Sequence, residues 1–427
     1  MRVAISLSGY TLTKAGDQGR SRSDRNAKEL PTFGQRRRGA KIGGVQSHQS
    51  QPIERGSPME QITRAVVRGQ AVRVGVDLAK RVLQVHAVDA AGQVLATRAL
   101  ARDKFIAWCA QLPAGCIVAM KTSSSSHHWA RKLIALGLDA RIIAAELVSP
   151  YRRQGASGKN DANDAAAVCE AASRPQMHFV PVKSIEQQSM LCVHRLREGF
   201  KADRVALHQP HPWPLGRIRP GFAQGPTALE AVLSDTLEDA SNEMNTLARL
   251  CVQQAQTQWR ELDAHIAWCD ERIAAHANDN ADVKKAATLM GIGPVGASAA
   301  VATVGDFKQF SHAAQFGAWI GLTPRQHSSG GKNNLGGITK RGDNYLRSLL
   351  IQGAKSAVMT THKRSDPISL WAAALRERVG WQKAAVALAN KNARILWAVM
   401  TRGEAFNARH VSVKPGASQL APAPATA

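Results

Sequence analysis

The order of secondary structure in residues 72–145 restricts the fold of this chain more than any other feature. Three β-rich runs follow one another with short breaks, which predicts an antiparallel meander of strands. Helical and strand-like patterns then alternate. The predicted segments, in order, are 72–79, 82–89, 93–100, 103–112, 116–120, 127–137 and 140–145.

This β-β-β-α-β-α-β order is that of ribonuclease H-like folds, in which one acid lies on the first strand and another at the end of the fourth. Asp77, in GVDLAK, occupies the first of these positions; its simpler interpretation is a strand-end aspartate in a turn. The fourth run continues as VAMKTSSSS, so Lys121 stands where a carboxylate is expected. A lysine there would bring positive charge to the site and could pair with Asp77.

A second acidic motif, GKNDANDAAAVCEA (158–171), opens a predicted helix that carries Asp161 and Asp164. A spacing of three residues puts both carboxylates on one helical face, and a helix N-terminus tolerates their charge. Ordinary N-terminal capping by aspartate explains this motif equally well. Together with Asp77, the two acids predict a site for a hard cation such as Mg²⁺, which prefers carboxylate and phosphate oxygens.

The charge of the chain indicates a polyanionic partner. The 427 residues carry a formal net charge of +24, with a sequence pI near 10.4, and nucleic acid is the commonest such partner. The six cysteines form no CxxC pair, which is typical of reduced thiols in the cytosol. No apolar run reaches the length of a membrane span, so we expect a cytoplasmic, nucleoid-associated protein without a membrane partner.

The terminal segments and one internal segment lack the pattern of folded elements. Residues 1–70 are predicted to be a disordered basic tail, with Met59 as the hypothesised natural start, and residues 405–427 a disordered Ala/Pro-rich tail. Residues 208–226 are rich in proline and interrupt helical sequence abruptly. A plain Pro-rich loop is one interpretation. Our preferred hypothesis is a short frameshifted segment, which reading the other frames of the gene would test.

The remaining sequence is predicted to be helical. Residues 184–287 form a predicted helical, coiled-coil arm, whose apolar a/d seam indicates packing or a dimer core. The seam is Ala255, Trp259, Leu262, Ile266, Cys269 and Ile273. Further helices are predicted at 311–320, 343–361, 367–378 and 381–402.

Two glycine-rich stretches in the C-terminal part can approach a phosphate backbone. GIGPVGA, with Gly291 and Gly293, resembles the turn of a helix-hairpin-helix, in which backbone N–H groups hold a DNA phosphate. Gly321–Arg347 combines two adjacent serines with a glycine-loosened basic loop. Its candidate phosphate contacts are Lys332, Lys340, Arg341 and Arg347, although a solvated basic face explains each of them singly.

Taken in order, GVDLAK, HHWARKLIALG, SPYRRQGASGKNDANDAAAVCEA, GIGPVGA and GLTPRQHSSGGKNNLGGITKRGDNYLR form a recognisable series. The series resembles DEDD-type transposases of the bacterial insertion-sequence one-ten and one-eleven-eleven groups, related to the pilin-gene invertase, and it spans about residues 72–406. The resemblance implies a RuvC-like domain (71–183) with a mixed sheet and helices, the arm, and a helical transposase domain (288–404) with a serine loop.

The resemblance also implies roles for individual residues. Asp77, Asp161 and Asp164 fall on three of the four acids that bind Mg²⁺, and Lys121 falls on the family glutamate. Ser329 falls on the nucleophile that forms a phosphoserine link to DNA, with Ser328 as the alternative. A structured guide RNA and a homo-oligomer are the implied partners besides DNA.

Three functions are therefore weighed. The first is a transposase, or site-specific DNA recombinase, either active or impaired by Lys121. The second is a non-catalytic DNA- or RNA-binding relic. The third is an actin-like ATPase, because GVDLAK also resembles a phosphate loop; that interpretation leaves Ser329 and the Asp161/Asp164 pair unexplained.

Overall fold

The computed structural model describes residues 70–152, 160–208, 234–235, 237–239, 241, 244–403 and 406–409. All of them belong to one compact unit, Gly56–Ala427. The predicted tails up to residue 69 and from residue 410, the hypothesised start at Met59, and residues 209–226 of the Pro-rich segment lie outside the described residues. None of the helices in the described ranges is long and apolar enough to cross a membrane.

The N-terminal part of the described chain is built on one mixed sheet. Its strands are β1 (Arg73–Leu78), β2 (Val82–Val88), β3 (Val94–Ala101), β4 (Ile117–Lys121), β5 (Asp139–Ile143) and β6 (Phe179–Val180). Their spatial order is β3-β2-β1-β4-β5-β6. The strands β1, β2 and β3 form the predicted antiparallel meander, whereas β4 runs parallel to β1 and β5 parallel to β4. The sequence did not predict β6, a two-residue edge strand antiparallel to β5.

Helices cover this sheet. They are α1 (Phe105–Cys109), α2 (Ser126–Ala135), α3 (Ala145–Val148) and α4 (Asp161–Ala172). The core contains side chains such as Val74 and Val76 from β1 and Val118 and Met120 from β4, all with no solvent exposure. Because parallel strands are covered on both faces, they read as continuous apolar runs, as β4 does.

Helix α4 approaches β1 unusually closely because the central strand carries Gly75. A Cβ atom at Gly75 would lie 2.2 Å from the Ala165 carbonyl oxygen and 2.5 Å from the Cys169 backbone nitrogen. No side chain fits in that space, so glycine permits backbone of the helix to rest on the strand. The first turn of α4 is thereby brought over the end of β1.

Two long helices form the arm, α5 (Ile185–His208) and α6 (Thr246–Asp279). Arg197 Nε lies 2.6 Å from Asp270 Oδ1 and Arg204 Nε lies 2.6 Å from Asp263 Oδ1, so the two helices run antiparallel. Within the predicted seam, the side chains of Trp259, Leu262, Cys269 and Ile273 are buried. These seam residues therefore pack within the chain. Such packing was one of the two predicted roles of the seam, the other being a dimer core.

The C-terminal part is helical around a second core. Its helices are α7 (Ala281–Ala287), α8 (Pro294–Val304), α9 (Ala313–Ile320), α10 (Asn344–Met359), α11 (Pro367–Val379) and α12 (Trp381–Arg402). The four helices predicted from the sequence agree with α9–α12 to within two residues at each end. A β-hairpin of β7 (Pro324–Gln326) and β8 (Leu335–Ile338), which the sequence did not predict, interrupts the helices.

Candidate functional site

The end of the central strand pair brings an aspartate and a lysine together. In the parallel β1–β4 ladder Val76 pairs with Met120, so the next residues, Asp77 and Lys121, are neighbours at the carboxyl ends of these strands. Asp164 reaches the same place from the first turn of α4, where the close packing over Gly75 holds it. The Asp164 side chain is only 7 % exposed.

The Lys121 ammonium lies between the two carboxylates. Its Nζ is 3.1 Å from Asp77 Oδ1 and 3.3 Å from Asp164 Oδ2. Arg152, whose proximity the sequence did not reveal, also donates from Nη2 to Asp164 Oδ2 at 2.9 Å. Two anionic and two cationic side chains therefore balance in a largely buried cluster.

Asp161, the third predicted acid, does not join this cluster. It is exposed at the first residue of α4, where Asn160 rather than an aspartate caps the helix by accepting a hydrogen bond from Asn163 N. Among the described residues no group of three or more acidic, histidine or cysteine side chains is arranged to hold a metal ion. With an ammonium on both carboxylates, the residues present do not fit a divalent metal ion.

A second feature is the tight turn at the tip of the β7–β8 hairpin. Lys332 N donates to Ser329 O at 3.0 Å, and the two residues between them have positive φ, 56° for Gly330 and 76° for Gly331. Positive φ at both central positions is typical of the turn that matches the twist of paired strands, and glycine adopts it without steric cost. Ser329 is exposed at the start of this turn.

The two adjacent serines differ in their hydrogen bonds. Ser328 Oγ accepts from Asn334 N at 3.1 Å and from Gln326 Nε2 at 3.1 Å, so it ties the two sides of the hairpin together. No hydrogen bond within the described part of the chain involves Ser329 Oγ. Both serines are exposed, and of the two it is Ser329 whose hydroxyl has no hydrogen-bond partner among the described residues.

Three of the four predicted phosphate contacts are exposed on or near this hairpin, namely Lys332, Lys340 and Arg341. Backbone contacts fix the segment that carries the last two: Cβ atoms at Gly321 and Gly342 would lie 2.0 Å from Arg341 O and 1.8 Å from Trp319 O. Lys340 itself has a positive φ of 57°. The close backbone contacts therefore fix the positions of the Lys340 and Arg341 backbone.

The prediction that Arg347 contacts a phosphate is wrong, because its side chain is buried. It is 6 % exposed, and its guanidinium donates to Ile320 O, Arg341 O and Asn344 Oδ1 at 2.7–2.9 Å. All the hydrogen bonds of this guanidinium lie within the protein. Arg347 therefore braces the Arg341 segment and the start of α10.

In the GIGPVGA stretch, GIG belongs to the turn between α7 and α8, and PVGA begins α8. Gly293 is the exposed N-cap residue of α8, with open space beside its Cα. Gly291, at φ 81°, faces the protein instead: a Cβ at Gly353 of α10 would lie 1.8 Å from Gly291 O. Gly293 is thus accessible to a ligand, whereas Gly291 allows α10 to pack against the turn.

A buried polar chain links the arm to the start of α10. His194 Nδ1 lies 2.9 Å from the Tyr345 hydroxyl, and His194 Nε2 lies 2.9 Å from Ser298 Oγ, which is 2.8 Å from His276 Nδ1. Burial, with lesser contributions from Arg197, His276 and Arg195, lowers the pKa of His194 to about 4. Burial also raises the pKa of Tyr345 to about 12. His194, Ser298, His276 and Tyr345 are far apart in the sequence, so no local pattern predicted their hydrogen bonds.

Comparison with known proteins decides the family. Residues 74–210 match a DEDD-type family model described as a transposase, and residues 283–368 match one described as the transposase IS116/IS110/IS902 family. A probable family 20 transposase of Pseudomonas aeruginosa is 44 % identical over 335 residues, which cover 77 % of this chain and 97 % of the relative. The chain belongs to this transposase family.

Two further relatives agree. The transposase for insertion sequence element IS1111A of Coxiella burnetii is 37 % identical, over 78 % of this chain and 90 % of the relative. The transposase for insertion sequence element IS1328 of Yersinia enterocolitica is 34 % identical, over 78 % and 98 %. The predicted family is confirmed, and with it an enzyme class that binds DNA. The match does not favour an actin-like ATPase.

Proposed function

We propose that this transposase cuts and rejoins the DNA of an insertion sequence through attack of Ser329 on a phosphodiester. The observation that carries the proposal is the position of Ser329 at the exposed tip of a tight hairpin turn, while its neighbour Ser328 is engaged within the hairpin. A protruding turn can enter the groove of a duplex, and its hydroxyl then reaches the backbone.

The chemistry is a transesterification. Ser329 Oγ forms a bond to phosphorus, the bond from phosphorus to a sugar oxygen breaks, and the serine proton ends on the departing sugar oxygen. The reverse attack by a sugar hydroxyl rejoins the strand and releases the serine. The charge of the phosphodiester increases as the reaction proceeds, so nearby cations stabilise it.

Exposed cations and one helix end supply the proposed phosphate contacts. Lys332 lies at the tip of the β7–β8 hairpin, and Lys340 and Arg341 follow β8. Gly293 precedes the first turn of α8, whose free N–H groups favour an anion. Arg347 and Gly291 do not contact the phosphate in this proposal. Arg347 donates to Arg341 O, and Gly291 packs against Gly353 of α10, so both stabilise the backbone beneath this surface. Removing the exposed cations should weaken DNA binding without unfolding the domain.

The other proposed partners rest on the family resemblance. A structured guide RNA would select the element ends and the target, and a homo-oligomer would hold the DNA ends together, with the reaction taking place at the nucleoid. The family implies Mg²⁺ at the acidic residues. In this chain Lys121 neutralises Asp77 and Asp164. We therefore propose that strand cleavage is impaired in this copy.

An excision and strand-transfer assay tests the proposal, with the cognate element ends, its RNA, and a denaturing gel that detects protein bound covalently to DNA. The variants are Lys121→Glu, Ser329→Ala and Ser328→Ala, and both serine variants are also made in the Lys121→Glu background. We expect more activity from Lys121→Glu than from the unchanged chain. Ser329→Ala should abolish the covalent adduct, and Ser328→Ala should keep it at a reduced level.

Other outcomes have definite meanings. An adduct that survives Ser329→Ala and disappears with Ser328→Ala would move the nucleophile by one residue. Full activity of the unchanged chain would refute the impairment. If no variant acts but the chain binds DNA or RNA, the non-catalytic binding function is the correct one.

A further inference from the structure

Asp77 and Asp164 are arranged like the ligands of a cation, and the position of the cation is occupied by the ammonium of Lys121. The Lys121 side chain is 21 % exposed, and its ammonium touches one oxygen of each carboxylate, Asp77 Oδ1 at 3.1 Å and Asp164 Oδ2 at 3.3 Å. Both aspartate side chains are more buried than the Lys121 side chain. Buried carboxylates this close to one another need a shared positive charge, because their mutual repulsion is poorly screened there.

Two features of the fold fix this geometry independently of the Lys121 side chain. Pairing of β1 with β4 sets Asp77 beside position 121, and contact of α4 with Gly75 sets Asp164 above them. The backbone that carries each carboxylate belongs to a regular element with a buried face. Both carboxylates should therefore stay in place when the side chain at position 121 changes.

We infer that Lys121 is a built-in substitute for a divalent cation, and that removing its ammonium turns the Asp77–Asp164 pair into a binding site for Mg²⁺ or Mn²⁺. An ammonium and a divalent ion cannot occupy the same carboxylate oxygens, because they compete for the same lone pairs and repel each other. Hard divalent ions bind such oxygens once these are free. The inference concerns cation binding alone and does not depend on whether DNA is cut.

Arg152 does not fill the same role. Its guanidinium contacts Asp164 only, and its side chain is 36 % exposed, so it can turn towards solvent when a metal ion binds. Lys121 alone bridges the two acids among the described cations. The substitution that opens the site is therefore at position 121.

Thermal unfolding of the full chain tests the inference, in EDTA and in increasing MgCl₂ or MnCl₂ at constant ionic strength. The variants are Lys121→Gln and Lys121→Glu, with Lys80→Gln as the matched control, since Lys80 is an exposed lysine just beyond β1, the strand that carries Asp77. In EDTA both Lys121 variants should melt lower than the unchanged chain by about 5 °C or more, because two buried carboxylates lose their shared cation.

Divalent ions should then restore the melting temperature of the Lys121 variants in a concentration-dependent manner, most strongly for Lys121→Glu, which adds a third carboxylate. The unchanged chain and Lys80→Gln should show no such rise. Adding Asp164→Asn to Lys121→Gln should abolish the response, which would assign it to this site.

Electron paramagnetic resonance of Mn²⁺ gives a direct second measurement that needs no unfolding. The unchanged chain should leave Mn²⁺ free. Mn²⁺ binding by the unchanged chain that Asp164→Asn abolishes would overturn the inference, since the metal would then bind with the lysine present. The inference also fails if both Lys121 variants fold and neither responds to a divalent ion. A Lys121 variant that folds only with Mg²⁺ or Mn²⁺ would support it.

Discussion

At the scale of single residues, Gly75 sets the distance between the helix and the strand that carry the two site aspartates. The carbonyl oxygen of Ala165 would lie 2.2 Å from a Cβ at this position, and it belongs to the backbone, so it cannot rotate away. Any side chain at position 75 must therefore push α4 off β1. The effect should reach Asp164, which stands on the first turn of that helix.

We expect Gly75→Ala to lower the free energy of unfolding by about 3 kcal/mol, in the upper part of the range for overpacked cores. Urea unfolding followed by circular dichroism measures the change. Gly199→Ala is the matched control, because Gly199 lies in the exposed middle of α5 with open space around it. That substitution should raise stability by up to about 1 kcal/mol, since alanine favours a helix. Equal effects of the two substitutions would contradict the close-contact argument.

At the scale of elements, strands and helices with a strong pattern were predictable. The meander and the parallel β4 and β5 follow from short apolar runs, and α12 has the predicted bounds, 381–402. Apolar runs and apolar periodicity both report burial, and each of these elements is buried on at least one face. The β7–β8 hairpin was missed because its strands are short and exposed, so they have no buried face to leave a pattern.

The candidate site was only partly predictable for a related reason. Asp77, Lys121 and Asp164 were found because strand order and helix spacing determine where they lie. The exposure of Asp161, the burial of Arg347 and the contact of Arg152 depend on packing between distant segments. Local sequence does not contain that information.

The packing of α5 against α8 and α10 should make stability depend on pH. The pKa of His194 is lowered from 6.5 to about 4 by burial, so the unfolded chain binds a proton there more readily than the folded chain. Stability from this group is complete above about pH 6.5 and is lost as the pH falls towards 4, with a slope of up to about 1.4 kcal/mol per pH unit.

Urea unfolding of the unchanged chain and of His194→Gln, at several pH values between 7 and 4.5, isolates this contribution. Glutamine keeps a donor and an acceptor but does not titrate, so the variant should lose less stability on acidification. The acidic residues and His127, whose pKa burial also lowers to about 4, titrate in both proteins and cancel in the difference. Parallel curves would show that His194 does not couple stability to pH.

At the scale of the whole molecule, the net charge of +24 should dominate the affinity for DNA. Each phosphate contact releases counterions, so log K falls linearly with log salt by about 0.9 for each contact. We expect Lys332→Gln combined with Arg341→Gln to reduce this slope by about two. Fluorescence anisotropy of labelled duplex DNA across a KCl series measures it.

An exposed lysine outside the hairpin provides the comparison for that experiment. Lys104→Gln removes an exposed positive charge between β3 and α1, outside the C-terminal helical part that carries the proposed phosphate contacts. Its slope should match that of the unchanged chain. A hairpin variant with an unchanged slope would place the DNA on another surface.

The lysine bridge between β1, β4 and α4 has a consequence for inheritance. Codons for lysine and glutamate differ by a single base, so one transition at position 121 exchanges the two residues. Because Asp77 and Asp164 already face that position from rigid elements, no second mutation is needed to rebuild an acidic cluster. Because the Lys121 bridge stabilises the fold, selection for folding alone retains Asp77 and Asp164 in such a gene copy. A single base change at codon 121 then suffices to replace the lysine by a third carboxylate.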